Sequence, residues 1–172
     1  MNLISRFGDI FQLSYVTKDL NGAVAFAARK LGIDNFFVFD AKVPVLSRGS
    51  MQELELRVAV ANTGTHQFEI IEPISGPIWI YTDGVDRDRQ EITLHHVGIA
   101  VMGPFSAWQE TLAKLREDGD EIVQLSEPAA GEEPTACFAY VDNRNSLGHF
   151  TEYLWWSKAM NGAPTMPNMQ QR

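Results

Sequence analysis

Residues 95–101 read HHVGIAV and lead into PFSAWQETLAKLR at 104–116; residues 11–17 read FQLSYVT and lead into LNGAVAFAARKL at 20–31. Each is a short strand-like run followed by a stretch with apolar residues at helical spacing. Each helical stretch stops at a glycine, Gly32 or Gly119, and Pro104 suits the start of the second helix. Behind each helix stand three further runs rich in β-branched and aromatic residues. They are FFVFDA (36–41), LELRVAVA (54–61) and QFEII (67–71) in the first half, and EIVQL (121–125), ACFAYVD (136–142) and FTEYLWW (150–156) in the second. The order strand–helix–strand–strand–strand therefore occurs twice, with no shorter tandem period. Two units of this size, each too small for a closed core of its own, are expected to pair their sheets about a pseudo-twofold axis around a shared cavity. The prediction is an α+β fold in a single domain, 1–172: module one at about 9–73, a connector at 74–93 with a short helix near 79–85, module two at about 94–156, and an aperiodic tail at 157–172.

Composition narrows the function classes. The chain has 172 residues, 14 basic against 22 acidic, for a net charge of −8. That balance lacks the Lys/Arg surplus that neutralises phosphates, so neither nucleic acid nor an anionic membrane surface is an expected partner. The apolar fraction of 45% and charged fraction of 21% suit a globular protein. No run approaches the ~20 apolar residues of a membrane helix, and MNLISRFGDIFQL makes a poor signal peptide. A lone cysteine, Cys137, excludes an internal disulfide and a cysteine-based zinc cluster, and a cytoplasmic location is expected.

Four polar residues interrupt otherwise apolar strands: Gln12, Glu69, His96 and Glu152. Gln12 and Glu69 are 57 residues apart and His96 and Glu152 are 56 apart; Gln12 to His96 is 84 and Glu69 to Glu152 is 83. Singly, each has an ordinary reading as a solvent-facing strand residue or a satisfied histidine. Jointly, a register kept to one residue places them at equivalent points of two halves that a dyad brings together. One imidazole, two carboxylates and one amide oxygen suit a divalent ion such as zinc, nickel, cobalt, manganese or iron. Two carboxylates nearly neutralise the ion and leave metal-bound water or a polarised substrate oxygen as the reactive element.

Other residues read as structural. His95 neighbours His96 and, by strand alternation, should face the other way. His66 and His149 sit at loop-to-strand junctions, and Cys137 reads as a small buried hydrophobe. Glu53, Glu55 and Arg57 mark one polar strand face, read as wet surface or as a cavity wall. Asp83, Asp86, Arg87, Asp88, Arg89 and Glu91 form a solvated mixed-charge run. Phe11, Phe68, Phe138, Tyr140 and Trp155 are candidates to line an apolar cavity. No GxSxG, Walker or GxGxxG motif is present, so nucleophilic hydrolysis and nucleotide binding lack support.

At these residues the chain resembles the vicinal oxygen chelate superfamily, the group of glyoxalases, bleomycin-resistance proteins and extradiol dioxygenases. HHVGIAV looks like that family's His-hydrophobic-Gly-Ile strand with His96 as metal ligand; FEIIEP looks like the strand carrying the first-half ligand, at Glu69. FAYVDNRNSLGHFTEYL looks like the closing strands of the glyoxalase-like branch that includes methylmalonyl-CoA epimerase, with Glu152 as ligand. The first-strand position, commonly His, is Gln12, and the resemblance covers roughly residues 9–156. It implies one divalent ion per site, a homodimer, and proton abstraction next to a carbonyl of a small oxo, hydroxy or acyl-thioester substrate. Glu152 is the first choice as base and Glu69 the second. Val16 stands where glutathione-dependent glyoxalases carry an Arg, which argues against glutathione. A metal-free ligand-sequestering protein is the alternative; an iron-dependent ring-cleaving dioxygenase fits less well, because no second His matches.

Overall fold

Asp19 and Gly32 bracket the first helix. The Asp19 carboxylate accepts from the Gly22 N–H at 3.1 Å, and Gly32 adopts the left-handed φ of 70° that ends a helix. The computed structural model describes residues 8–64, 66–83, 91–126 and 134–157. The mixed-charge residues Asp86–Arg89 and nearly all of the predicted tail lie outside them.

Among the described residues eight strands and four helices follow in the order β1 (Asp9–Val16), α1 (Leu20–Leu31), β2 (Phe37–Ser47), β3 (Ser50–Thr63), β4 (His66–Ser75), α2 (Trp79–Thr82), β5 (Thr93–Val101), α3 (Phe105–Asp118), β6 (Ile122–Ser126), β7 (Ala136–Asn143), α4 (Arg144–Leu147) and β8 (His149–Trp156). Helix α1 matches its predicted bounds. Strands β2 and β3 run longer than predicted, because Pro44 does not end β2. Strand β6 pairs only residues 45–47 of β2, so on that side β2 is an edge before Val45, where proline is tolerated. The two strands turn at Arg48 and Gly49, both with positive φ (49° and 77°), the backbone of a tight hairpin.

The strands form a closed barrel in the order β1-β4-β3-β2-β6-β7-β8-β5. Each half contributes one parallel pair, β1 with β4 and β5 with β8, and the halves join antiparallel at β1–β5. A second junction, β2–β6, completes the cylinder through Val45–Ser126, Leu46–Leu125 and Ser47–Gln124.

The helices cover the outer wall. Leu20, Ala23 and Ala27 of α1 pack on Ala59, Phe68 and Ile70. Trp108, Leu112 and Leu115 of α3 pack on Leu125, Cys137 and Trp155. Phe68 and Trp155 therefore sit beneath helices and not in the cavity, and Phe11 packs with Ala100 and Trp156. Of the expected lining residues, Phe138 and Tyr140 face the interior. The Glu53, Glu55 and Arg57 face is outer surface: Lys42 Nζ pairs with Glu53 and Glu55 at 2.9 and 2.8 Å, and Arg57 with Glu72 at 3.1 Å. Cys137 is buried, and burial pushes its thiol up to about 11, which suits a packing residue. Among the described residues no helix is long and apolar enough to cross a membrane.

One end of the barrel is plugged by α2. Ile80 and Tyr81 are fully buried inside the cylinder among Val16, Val45, Leu54 and Phe150. The connector thus supplies core, which its Gly-, Pro- and Asp-containing sequence does not announce.

Candidate functional site

Strand register assembles the site. Gln12 lies directly opposite Gln67, and Ser14 opposite Glu69, across β1–β4. Across β1–β5, Gln12 meets Gly98 and Ser14 meets His96; across β5–β8, Gly98 meets Glu152. Glu69 and Glu152 each stand two residues beyond the direct partner of Gln12 and His96 respectively, so the dyad inferred from spacing is present in the pairing. All four predicted residues come together, from one chain, on the inner wall of the barrel.

Two β-bulges refine this. The register slips between Ile10 and Gln12 and between Ser14 and Tyr15, leaving Phe11 and His95 as the extra residues, each immediately before a donor. The bulge overturns the expectation that His95 faces away from His96: the two Nδ1 atoms lie 2.8 Å apart, and both rings are buried. Strict alternation holds only where the ladder is unbroken.

The donor atoms crowd a single point. His96 Nε2 lies 3.1 Å from Gln12 Oε1, 3.3 Å from Glu152 Oε2 and 3.6 Å from Glu69 Oε2. Ser14 Oγ donates to Glu69 Oε2 at 2.6 Å, and Gln12 Nε2 donates to Gln67 Oε1. Behind the imidazole, His95 Nε2 donates to the Ile80 carbonyl at 3.0 Å. Burial holds His95 well below the usual imidazole range, so its neutral ring carries its proton on Nε2 and accepts at Nδ1 from His96 Nδ1. His96 Nε2 is left facing three oxygens.

Four acceptors aimed at one another in a buried space require a cation between them, a proton or a metal ion. Donors sharing an ion at bond lengths of ~2.0–2.2 Å stand roughly 3 Å apart, close to the separations of Gln12 and Glu152 from His96. The residue types therefore fit a divalent ion, with Glu69 standing farther off than the other two oxygens. Among the described residues, however, no group of three or more His, Cys, Asp or Glu forms a ready-made cage; here the donors lie against one another.

The electrostatics agree. Burial pushes Glu69 up to about 7, opposed by the adjacent His96, reinforced by Glu152 and lowered by hydrogen bonds from Ser14 and Gln12. Glu69 holds its proton more tightly folded than unfolded, so its contribution to stability is fully present below about pH 4.5 and is lost as pH rises through about 7. In the presence of a chelator, denaturant melts should show the wild type losing stability between pH 5 and 8 relative to Glu69→Gln. The expected difference is on the order of 3 kcal/mol; equal profiles would remove the buried carboxylate from the account.

Sequence reasoning left Ser14, Gln67, Tyr81 and Gly98 without roles. Gly98 was visible in the quoted HHVGIAV strand. It sits in register between Gln12 and Glu152, and a Cβ there would meet Gln12 Cβ and Phe11 Cε1 at 2.9 Å and Gln12 Oε1 at 3.0 Å. Gly98→Ala should cost about 1–3 kcal/mol through overpacking and weaken divalent-ion uptake by displacing Gln12. Thermal melts and cobalt titration check both effects. The donors open onto a cavity of about 230 Å³, with Tyr81 and Tyr140 also on its wall. Burial, then the nearby carboxylates, drives the phenol of Tyr140 well up; Tyr81 is likewise driven up, so both stay neutral hydroxyls.

Neither a family model nor a curated protein sequence matches this chain. Solved structures do. A variant of Streptomyces coelicolor methylmalonyl-CoA epimerase in complex with 2-nitronate-propionyl-CoA aligns with TM-score 0.54 at 14% identity, over 88% of this chain and 99% of that one. The methylmalonyl-CoA epimerase of Mycobacterium tuberculosis aligns with TM-score 0.53 at 10% identity, over 92% and 96%. A hypothetical protein from Bacillus halodurans aligns with TM-score 0.52 at 15% identity, over 87% and 95%. Likeness at this identity establishes the architecture: the chain has the vicinal oxygen chelate fold, as its sequence resemblance implied.

Proposed function

We propose that this protein is a divalent-metal-dependent enzyme that transfers a proton at the carbon next to a carbonyl, an isomerase, epimerase or lyase acting on a small oxo, hydroxy or acyl-thioester compound. One observation carries the reading: two carboxylates, an imidazole nitrogen and an amide oxygen converge inside a largely apolar chamber. Gln12, Glu69, His96 and Glu152 would hold the ion, which supplies stabilisation of negative charge on the substrate oxygen. The chain does the rest. His95 keeps the Nε2 lone pair of His96 directed at the site, Ser14 tethers Glu69, and Glu152 takes the proton from carbon, with Glu69 as second base. The carboxylates reach the site from opposite halves of the barrel, the arrangement epimerisation requires. The epimerase likeness favours an acyl thioester among candidate substrates.

The test is elemental analysis of purified protein together with solvent-deuterium exchange, followed by NMR, into methylmalonyl-CoA and a panel of 2-oxo and 2-hydroxy acids. About one divalent ion per chain and chelator-sensitive exchange are expected. A protein that takes up no ion and exchanges no proton overturns the reading. The apolar chamber walls favour a second reading, metal-free sequestration of a ligand; stoichiometric binding without exchange would distinguish it.

A further inference from the structure

Resting on the function just proposed, the chamber also narrows the substrate. The inward row of β2 is Phe37, Phe39, Ala41, Val43 and Val45, and it deepens from 48% exposure at Phe37 to none at Val45. The first four face equally apolar partners on β3, Phe37 against Val60 and Phe39 against Val58, down to Val43 against Leu54, while Val45 at the buried end pairs with Gln52. These two strands form an apolar gutter from the mouth to the blind end, with the donors on the opposite wall. No Lys or Arg lines the chamber among the described residues; Lys42 and Arg57 face outward and are held by carboxylates. A charged substituent lying along the gutter would be desolvated without a counter-ion.

A second observation marks the polar end. Gln67 Nε2 is, among the described residues, the one buried side-chain nitrogen or oxygen without a hydrogen-bond partner. Gln67 lines the chamber beside Gln12, whose amide nitrogen occupies the other atom of the Gln67 amide. An orphaned donor at this depth is available to an acceptor oxygen, from a water or from a ligand that displaces it.

We propose that the chamber takes a compound with a compact oxygen-bearing head and an uncharged apolar body, the head accepting a hydrogen bond from Gln67 Nε2 beside the donor set and the body lying along β2 and β3. Substrates with an anionic handle away from the reacting oxygens, such as a peptide thiol or a dicarboxylate, are disfavoured inside the chamber.

Three hydroxamates test this on cobalt-loaded protein, read from the visible bands: acetohydroxamate, pentanohydroxamate and succinomonohydroxamate, whose tail ends in a carboxylate. Affinity should rise about fourfold per methylene, hence roughly 50-fold from the first to the second. The succinyl probe should bind at least tenfold more weakly than pentanohydroxamate. Phe39→Lys, at the half-buried mouth, should restore the succinyl probe. Gln67→Glu keeps an acceptor for Gln12 but removes the orphaned donor; it should weaken every probe about tenfold and leave the gain per methylene intact. Affinities independent of chain length, or a succinyl probe binding as tightly as pentanohydroxamate, overturn the apolar body. Unchanged affinities in Gln67→Glu overturn the Gln67 contact. If cobalt is not taken up at all, the metal reading fails by itself. The gutter is then tested on the metal-free protein with the fluorescence of 2-acetylnaphthalene, an uncharged aromatic ketone. Saturable binding weakened by Phe39→Lys supports the inference, and no saturable binding overturns it.

Discussion

Glu152→Gln is expected to lower turnover about a thousandfold while the protein folds and still takes up its divalent ion. A positioned general base contributes roughly 10²–10⁴-fold, and the amide is isosteric and keeps one oxygen as a donor. Glu152 is buried, and its Oε2 lies 3.3 Å from His96 Nε2. Glu69 differs in being tethered by the 2.6 Å bond from Ser14. Glu69→Gln should therefore weaken ion uptake more than it lowers turnover at saturating ion. Elemental analysis and exchange rates on the two variants separate these effects. If Glu152→Gln keeps full activity, the base is Glu69 and the order of the two is reversed.

Tyr81→Ala is expected to destabilise the protein by about 3–5 kcal/mol, the usual cost of deleting a buried aromatic ring, and to lower the melting temperature by roughly 10 °C. Tyr81 is fully buried, stacks on His95 with ring centroids 4.7 Å apart, and donates to Gln124 Oε1 at 3.3 Å. Tyr81→Phe removes only the hydroxyl and should cost about 0.5–1.5 kcal/mol. The pair distinguishes a plug that fills the barrel from a residue held by one hydrogen bond. A loss below 1 kcal/mol in Tyr81→Ala would show that the connector helix is not part of the core.

The repeat was legible because its markers are local. The Asp19 cap and the left-handed Gly32 fix α1, and β-branched runs fix the strands. Gln12, Glu69, His96 and Glu152 were legible because polar residues kept register across two halves. What the sequence concealed depends on tertiary context. A bulge breaks the period of two on which strand-face arguments rest, so His95 was placed on the wrong side. Phe11, Phe68 and Trp155 read as cavity lining because both faces of these barrel strands are buried, one under helices and one inside. Gln67 looked like an ordinary strand opener; its importance lies in an unmet hydrogen bond, which only coordinates reveal. Closure at β2–β6 depends on two distant segments meeting over three residues.

The two seams of the barrel are unequal: seven residue pairs join β1 to β5, and three join β2 to β6. Local opening is expected where fewest pairs must break, so β1–β5 is the spine of a book and β2–β6 its fore-edge. The candidate donors lie at and beside the spine. A parting along the fore-edge would admit or release a guest without disturbing their alignment.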